Sequence, residues 1–186
     1  MRKLAVILIV IIAATISGCA SKDDEEFDNL VSQAVKYRDE LDLVSAKQLF
    51  EKALDIREDS QIRKSVQKLT NEIAEVKKFN DLCDRLLSKR NALDSAMSRQ
   101  DVRTTAKEID VLISEIKNYD TNTEYSVSKY VNRMKESLEL ISLSVSVISV
   151  QATQDFDVIE KAQEIKNQID ELIASVQYPD AYKSIK

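Results

Sequence analysis

Glycine and proline are almost missing from this chain, and the places where they occur decide what it can fold into. The single glycine is Gly18 and the single proline is Pro179, so 179 − 18 − 1 = 160 residues between them carry neither. Tight β-turns need Gly, Asn-Gly or Pro at set positions. Sandwiches, barrels and hairpin-rich sheets are therefore excluded. No glycine loop of the G-x-G-x-x-G or Walker type can be written to cradle a phosphate. The length of 186 residues suits one domain or two small ones. Histidine is absent, which removes His-based triads, HExxH zinc sites and imidazole acid-base chemistry. An all-α body is the fold class that remains.

The first 18 residues form a segment of their own. Arg2 and Lys3 are followed by an almost unbroken apolar run from Leu4 to Ile16. A bilayer-spanning helix needs about 20 apolar residues, so this run fits the core of a signal peptide. It ends in Ile16-Ser17-Gly18-Cys19. An aliphatic residue, two small residues and a cysteine in this setting resemble the lipobox of bacterial lipoproteins. The resemblance implies cleavage between Gly18 and Cys19, a diacylglycerol on the Cys19 thiol and an N-acyl chain on its amine. Two or three acyl chains on one residue give stable membrane attachment, where one alone gives marginal binding. No other cofactor is expected. Ala20 follows the cysteine; it is not the aspartate that would imply inner-membrane retention. The implied location is the bacterial cell envelope, on the outer face of the plasma membrane or in the outer membrane.

Cleavage removes Arg2 and Lys3, so the remaining chain carries 25 − 32 = −7 formal charges. That disfavours nucleic acid and anionic lipid surfaces as partners. Residues 19–26 read as a lipidated acidic tether, 27–178 as the helical domain and 179–186 as a loose tail beginning at Pro179. Cys83 is the only other cysteine. With Cys19 lipidated it has no internal disulfide partner, and its apolar register position points to packing.

The helices read as follows. The spacing of Phe27, Leu30, Val31, Ala34 and Tyr37 predicts a first helix over about 24–40. Asp42 is placed to cap a second over about 43–57, with Ala46, Leu49, Phe50 and Ala53 on one face. From Asp59 a 4-3 stripe of Ile62, Val66, Leu69, Ile73, Val76, Asn80, Cys83 and Leu87 begins. It meets Arg90 and shifts to Leu86, Leu93 and Met97, so the segment is either one helix of about 57 Å or two with a break near 88–91. Asn80 in that stripe either fixes register from the interior or turns to the rim while Phe79 and Leu82 take the core. Asp101 is a candidate N-cap for a fourth helix, and Thr121-x-x-Glu124 has the form of a capping box for a fifth. Residues 142–147 alternate like a strand, but a lone strand would lack a partner, and we read helix. Asp157 is placed to cap a sixth helix that ends before Pro179. Short polar loops between such helices predict an elongated antiparallel bundle or stacked hairpins.

Residues 27–60 resemble one tetratricopeptide repeat through Phe27, Ala34, Tyr37, Ala46, Phe50 and Ala53. Glu58 stands where that family has proline, and Lys68 and Asn71 break the pattern in the next 34 residues. The resemblance implies a helical hairpin and a peptide-binding face; Val31, Val35 and Arg38 are the matching outward positions. Residues 61–178 read as a long-helix bundle.

Little in the chain points to chemistry. The acidic pairs Glu72/Glu75 and Asp81/Asp84 are interleaved with Lys77, Lys78 and Arg85, as on a solvated face laced with ion pairs. No catalytic residue, metal site or small-molecule substrate is expected. Tyr119, Tyr125 and Tyr130 flank one loop and form either an aromatic contact patch or the packing of a bundle end. The expected role is a membrane-anchored, non-catalytic module that binds protein partners, with oligomers compatible. Two other roles remain open: a phage- or plasmid-encoded exclusion lipoprotein, and an extracytoplasmic sensor, which needs a pocket of about 300 Å³ or more.

Overall fold

A computed structural model describes residues 22–96, 98–120, 127–150 and 155–185. Its elements are α1 (Lys22–Asp39), α2 (Leu43–Ile56), α3 (Ser60–Asp94), α4 (Arg99–Lys117), α5 (Ser128–Val150), α6 (Asp155–Ser175) and α7 (Asp180–Lys183). The described residues contain no strand, and the fold is all-α. Residues 142–147 lie inside α5 as expected. Gly18, Cys19, Met97, Tyr125 and the Thr121–Glu124 box lie outside the described residues.

Local chemistry sets most of the ends. Asp23, Asp24 and Glu25 occupy the first turn of α1, and Lys36 and Arg38 its last, each sign matching the helix dipole. Asp42 caps α2 through Ser45 N at 3.1 Å. Asp59 caps α3 through the amides of Gln61 (2.7 Å) and Ile62 (3.0 Å). Two expected caps are corrected. Ser98, not Asp101, caps α4: its Oγ accepts from Asp101 N (3.2 Å), and the Asp101 carboxylate accepts from Ser98 N (2.9 Å). Asp101 is thus the third residue of a capping box. α6 begins at Asp155, which places Asp157 inside its first turn.

The turn from α1 to α2 is a Schellman motif. Asp42 N donates to Tyr37 O and Leu41 N to Arg38 O, at 2.9 and 3.0 Å. Its left-handed position is normally glycine. In this chain Leu41 takes it, at φ 66°.

Helices α3 to α6 form an antiparallel four-helix bundle in which each packs on the next and α6 closes onto α3. Cross-helix bonds fix the directions. Arg85 meets Glu115 on α4 through two bonds of 2.7 and 2.9 Å. Arg90 reaches Asp170 on α6 at 2.8 Å, and Lys166 pairs with Asp94. Ser144 on α5 donates to Glu164 on α6 at 3.1 Å. The interior is aliphatic, with Leu86, Ile109, Met134, Val131, Leu138, Ile165 and Ile169 at 0% exposure.

α3 is one unbroken helix of 35 residues, about 52 Å long. Its partners have 19, 23 and 21, so its first half projects beyond them. α2 packs on that projection and α1 packs on α2. Phe27, Ala34, Ala46, Phe50 and Ala53 are buried in this hairpin, the alanines at 0%, which lets the backbones approach; Tyr37 is 38% exposed. The apolar stripe of α3 changes with its neighbours. Leu69 and Val76 are buried in the first half, then Phe79, Leu82, Leu86 and Leu93. The shift falls at Phe79, where α4 and α6 take over from α2 as the neighbours of α3, and not at Arg90.

Candidate functional site

The chain's chemistry concentrates at the junction where the hairpin meets the bundle. The C-terminal end of α4, the start of α5, the end of α6 and residues 178–185 converge there on the middle of α3.

Aromatic side chains fill this junction. Tyr178 lies 4.9 Å from Phe79, 5.1 Å from Tyr130 and 5.7 Å from Tyr182, centroid to centroid. Tyr119 at the end of α4 donates its hydroxyl to Glu75 on α3 at 2.5 Å, and Lys78 lies 4.4 Å from its ring centroid. Burial, and next the hydrogen bond to Glu75, push the Tyr119 phenol above its ordinary range. Burial pushes Tyr178 up as well, with Cys83 and the neighbouring tyrosines adding to it; its hydroxyl is buried without a hydrogen-bond partner. Lys135 closes the α4–α5 side through Tyr119 O at 2.9 Å.

Residues 179–185 are packed, which corrects the expected loose tail. Tyr182 is 1% exposed and Ile185 5%. The Asn80 side-chain amide donates to both of their main-chain carbonyls, at 2.9 Å (Tyr182 O) and 2.7 Å (Ile185 O). Tyr182 Oη donates to Glu72 at 3.4 Å. Asn80 does leave the core to Phe79 and Leu82, and its position at the rim gives it this task. Glu72 and Glu75 accept tyrosine hydroxyls, so they are more than a solvated acidic face.

A recess of about 670 Å³ opens beside the junction between α3 and α6, with Phe79, Cys83, Leu87 and Ile173 in its walls. Cys83 is a free, half-buried thiol. Burial, with Asp84 adding to it, pushes that thiol up to about 12, which leaves it neutral and unreactive at physiological pH.

The contact residues expected from sequence do not form one surface. Tyr119 and Tyr130 are buried at 6% and 5% and pack the bundle end, where α4 finishes and α5 begins. Val31 and Val35 pack against the core and do not face outward; Arg38 is exposed and bonds its neighbour Asp39 at 3.0 Å. Asn80, Tyr178 and Tyr182 hold the junction, and sequence reasoning assigned none of them that role. Three tyrosines near helix ends, Tyr119, Tyr130 and Tyr178, were the available signal.

Among the described residues no group of three or more His, Cys, Asp or Glu is placed to hold a metal ion, and no helix is long and apolar enough to cross a membrane. No known protein family, curated protein or solved structure matches the chain.

Proposed function

We propose that this protein is a non-catalytic lipoprotein of the bacterial cell envelope, held to a membrane by acyl chains on Cys19 and acting as a helical module that binds protein partners. The observation that carries the reading is Ile16-Ser17-Gly18-Cys19 directly after a basic start and an apolar run. The fold supports it in one respect. Arg57 at the end of α2 pairs with Asp24 at 2.8 Å and lies 3.9 Å over the Phe27 ring, so the fold takes hold of the chain from the first turn of α1, close behind the tether.

The recess has the volume a ligand sensor needs. Its nearby amide, Asn80, is however committed to main-chain carbonyls, which favours a protein partner. No residue supports the exclusion role. Replacing Cys19 by Ala is expected to abolish labelling by radioactive palmitate and to move the protein out of the membrane pellet. Unchanged processing and membrane retention in the variant would defeat the anchor. Crosslinking in intact cells, followed by identification of the captured protein, tests the partner half of the reading.

A further inference from the structure

Residues 179–185 are seated by a short segment and not by a long helix face. α7 has four residues, and its path is set by Gln177 in the left-handed region at φ 49° and by Pro179. Only two large side chains enter the body, Tyr182 and Ile185, three positions apart. Asp180, Lys183 and Ser184 face solvent, and Lys183 pairs within the segment, with Asp180 at 2.7 Å. The polar anchor is Asn80, which bonds two backbone carbonyls and so reads main chain, whatever side chains follow. Main-chain bonds for affinity combined with sockets for particular side chains are the general design of peptide-recognition sites. The recess also runs on beyond Ile185 along α3, past Cys83 and Leu87. The segment lines one end of it, and a longer apolar helix would bury more.

We infer that this seat is an acceptor for a short peptide turn with an aromatic and an aliphatic residue three positions apart, which residues 179–185 occupy in cis and a partner segment of the same chemistry displaces. The inference rests on the reading of the protein as a binding module and names the place and manner of binding. An occupant tethered in cis has an effective concentration on the order of millimolar. A displacing partner must exceed that, and further apolar contacts along the recess supply the means.

The test uses the full chain and a fluorescent synthetic peptide, Tyr-Pro-Asp-Ala-Tyr-Lys-Ser-Ile-Lys, copied from residues 178–186. Ile185→Ala in the protein weakens the cis occupant and is expected to tighten peptide binding at least tenfold, read by anisotropy. Adding Asn80→Ala to that variant is expected to reverse the gain by tenfold or more, with the helical circular dichroism of both variants unchanged. A peptide carrying Ala in place of its second tyrosine is expected not to bind. Absence of binding to a folded Ile185→Ala chain overturns the inference, and so does binding indifferent to Asn80. Should either variant lose helix, hydrogen exchange on the unaltered chain decides. Millimolar peptide must speed exchange of the amides over 180–185, and unchanged exchange there overturns the proposal. The assay does not depend on the lipid anchor. Its failure removes this site alone, whereas failure of the Cys19 experiment removes the anchored reading alone.

Discussion

At the scale of single residues, the left-handed positions are the informative ones. A chain nearly free of glycine still has to reverse direction, and it does so through Leu41 at φ 66° and Gln177 at φ 49°. A side chain with a Cβ in that region costs about 1–2 kcal/mol. Leu41 is 37% exposed, so it contributes little packing in return. Leu41→Gly is therefore expected to stabilise the protein by about 1 kcal/mol, net of the greater freedom of the unfolded chain. A urea midpoint that moves down would contradict this. The Asp42 cap was legible in sequence, because capping depends on residues three positions apart. The left-handed Leu41 was not: a leucine carries no turn signal, and the Asp42 cap beside it marks the start of α2 without showing how the chain reaches it. Tyr119 and Tyr130 were placed correctly at a helix–helix loop. Their burial is decided by α3 and residues 178–182, far away in sequence, and so could not be read locally.

At the scale of elements, the start of α4 separates two residues that look alike in sequence. Ser98 donates its position as N-cap, and Asp101 supports it from the third residue. Ser98→Ala is expected to cost about 1 kcal/mol, and Asp101→Ala less, since the Ser98 cap survives it; guanidinium unfolding of the two variants measures the order. Equal losses, or a larger loss for Asp101, would return the cap to Asp101. α3 shows why stripes read well and continuity does not. Its apolar positions were visible, but the change of stripe reads equally as a break or as a change of neighbours. The structure has the second: one helix first faces α2 and then α4 and α6. Residues 61–87 read as a single 4-3 pattern because both faces draw on overlapping positions, with Phe79 and Leu82 taking over one step away from Asn80 and Cys83.

At the scale of the molecule, charged seams tie the bundle together. Arg85 holds the Glu115 carboxyl below its ordinary value of 4.5, chiefly by hydrogen bonding. Lys166 does the same for Asp94, whose ordinary value is 3.8; Glu164 is lowered chiefly by Lys161 on its own helix, with Ser144 of α5 adding to it. The unfolded chain therefore takes up these protons first as pH falls. The stability these carboxyls contribute is complete above about pH 4.5 and is lost as pH drops through their folded values. The seams lie at the surface, so the acid-induced fall in melting temperature is expected to shrink in 0.5 M salt. A melting temperature flat between pH 5 and pH 3 would contradict the role given to these pairs. The far end of the molecule carries a different consequence. The leading chain enters at α1, where Arg57 grips Asp24 and Phe27, and the bundle connects to that hairpin through α3. A load applied at Lys22 is thus borne first by the contacts of α1 on α2, the Arg57 pair with Asp24 and its stacking on Phe27 among them. In single-molecule pulling between Lys22 and the bundle, α1 and α2 should extend in a first, low-force step, and Arg57→Ala should lower that step while leaving the later rupture of the bundle where it was. That order of rupture is what a hairpin yielding ahead of the four-helix body predicts.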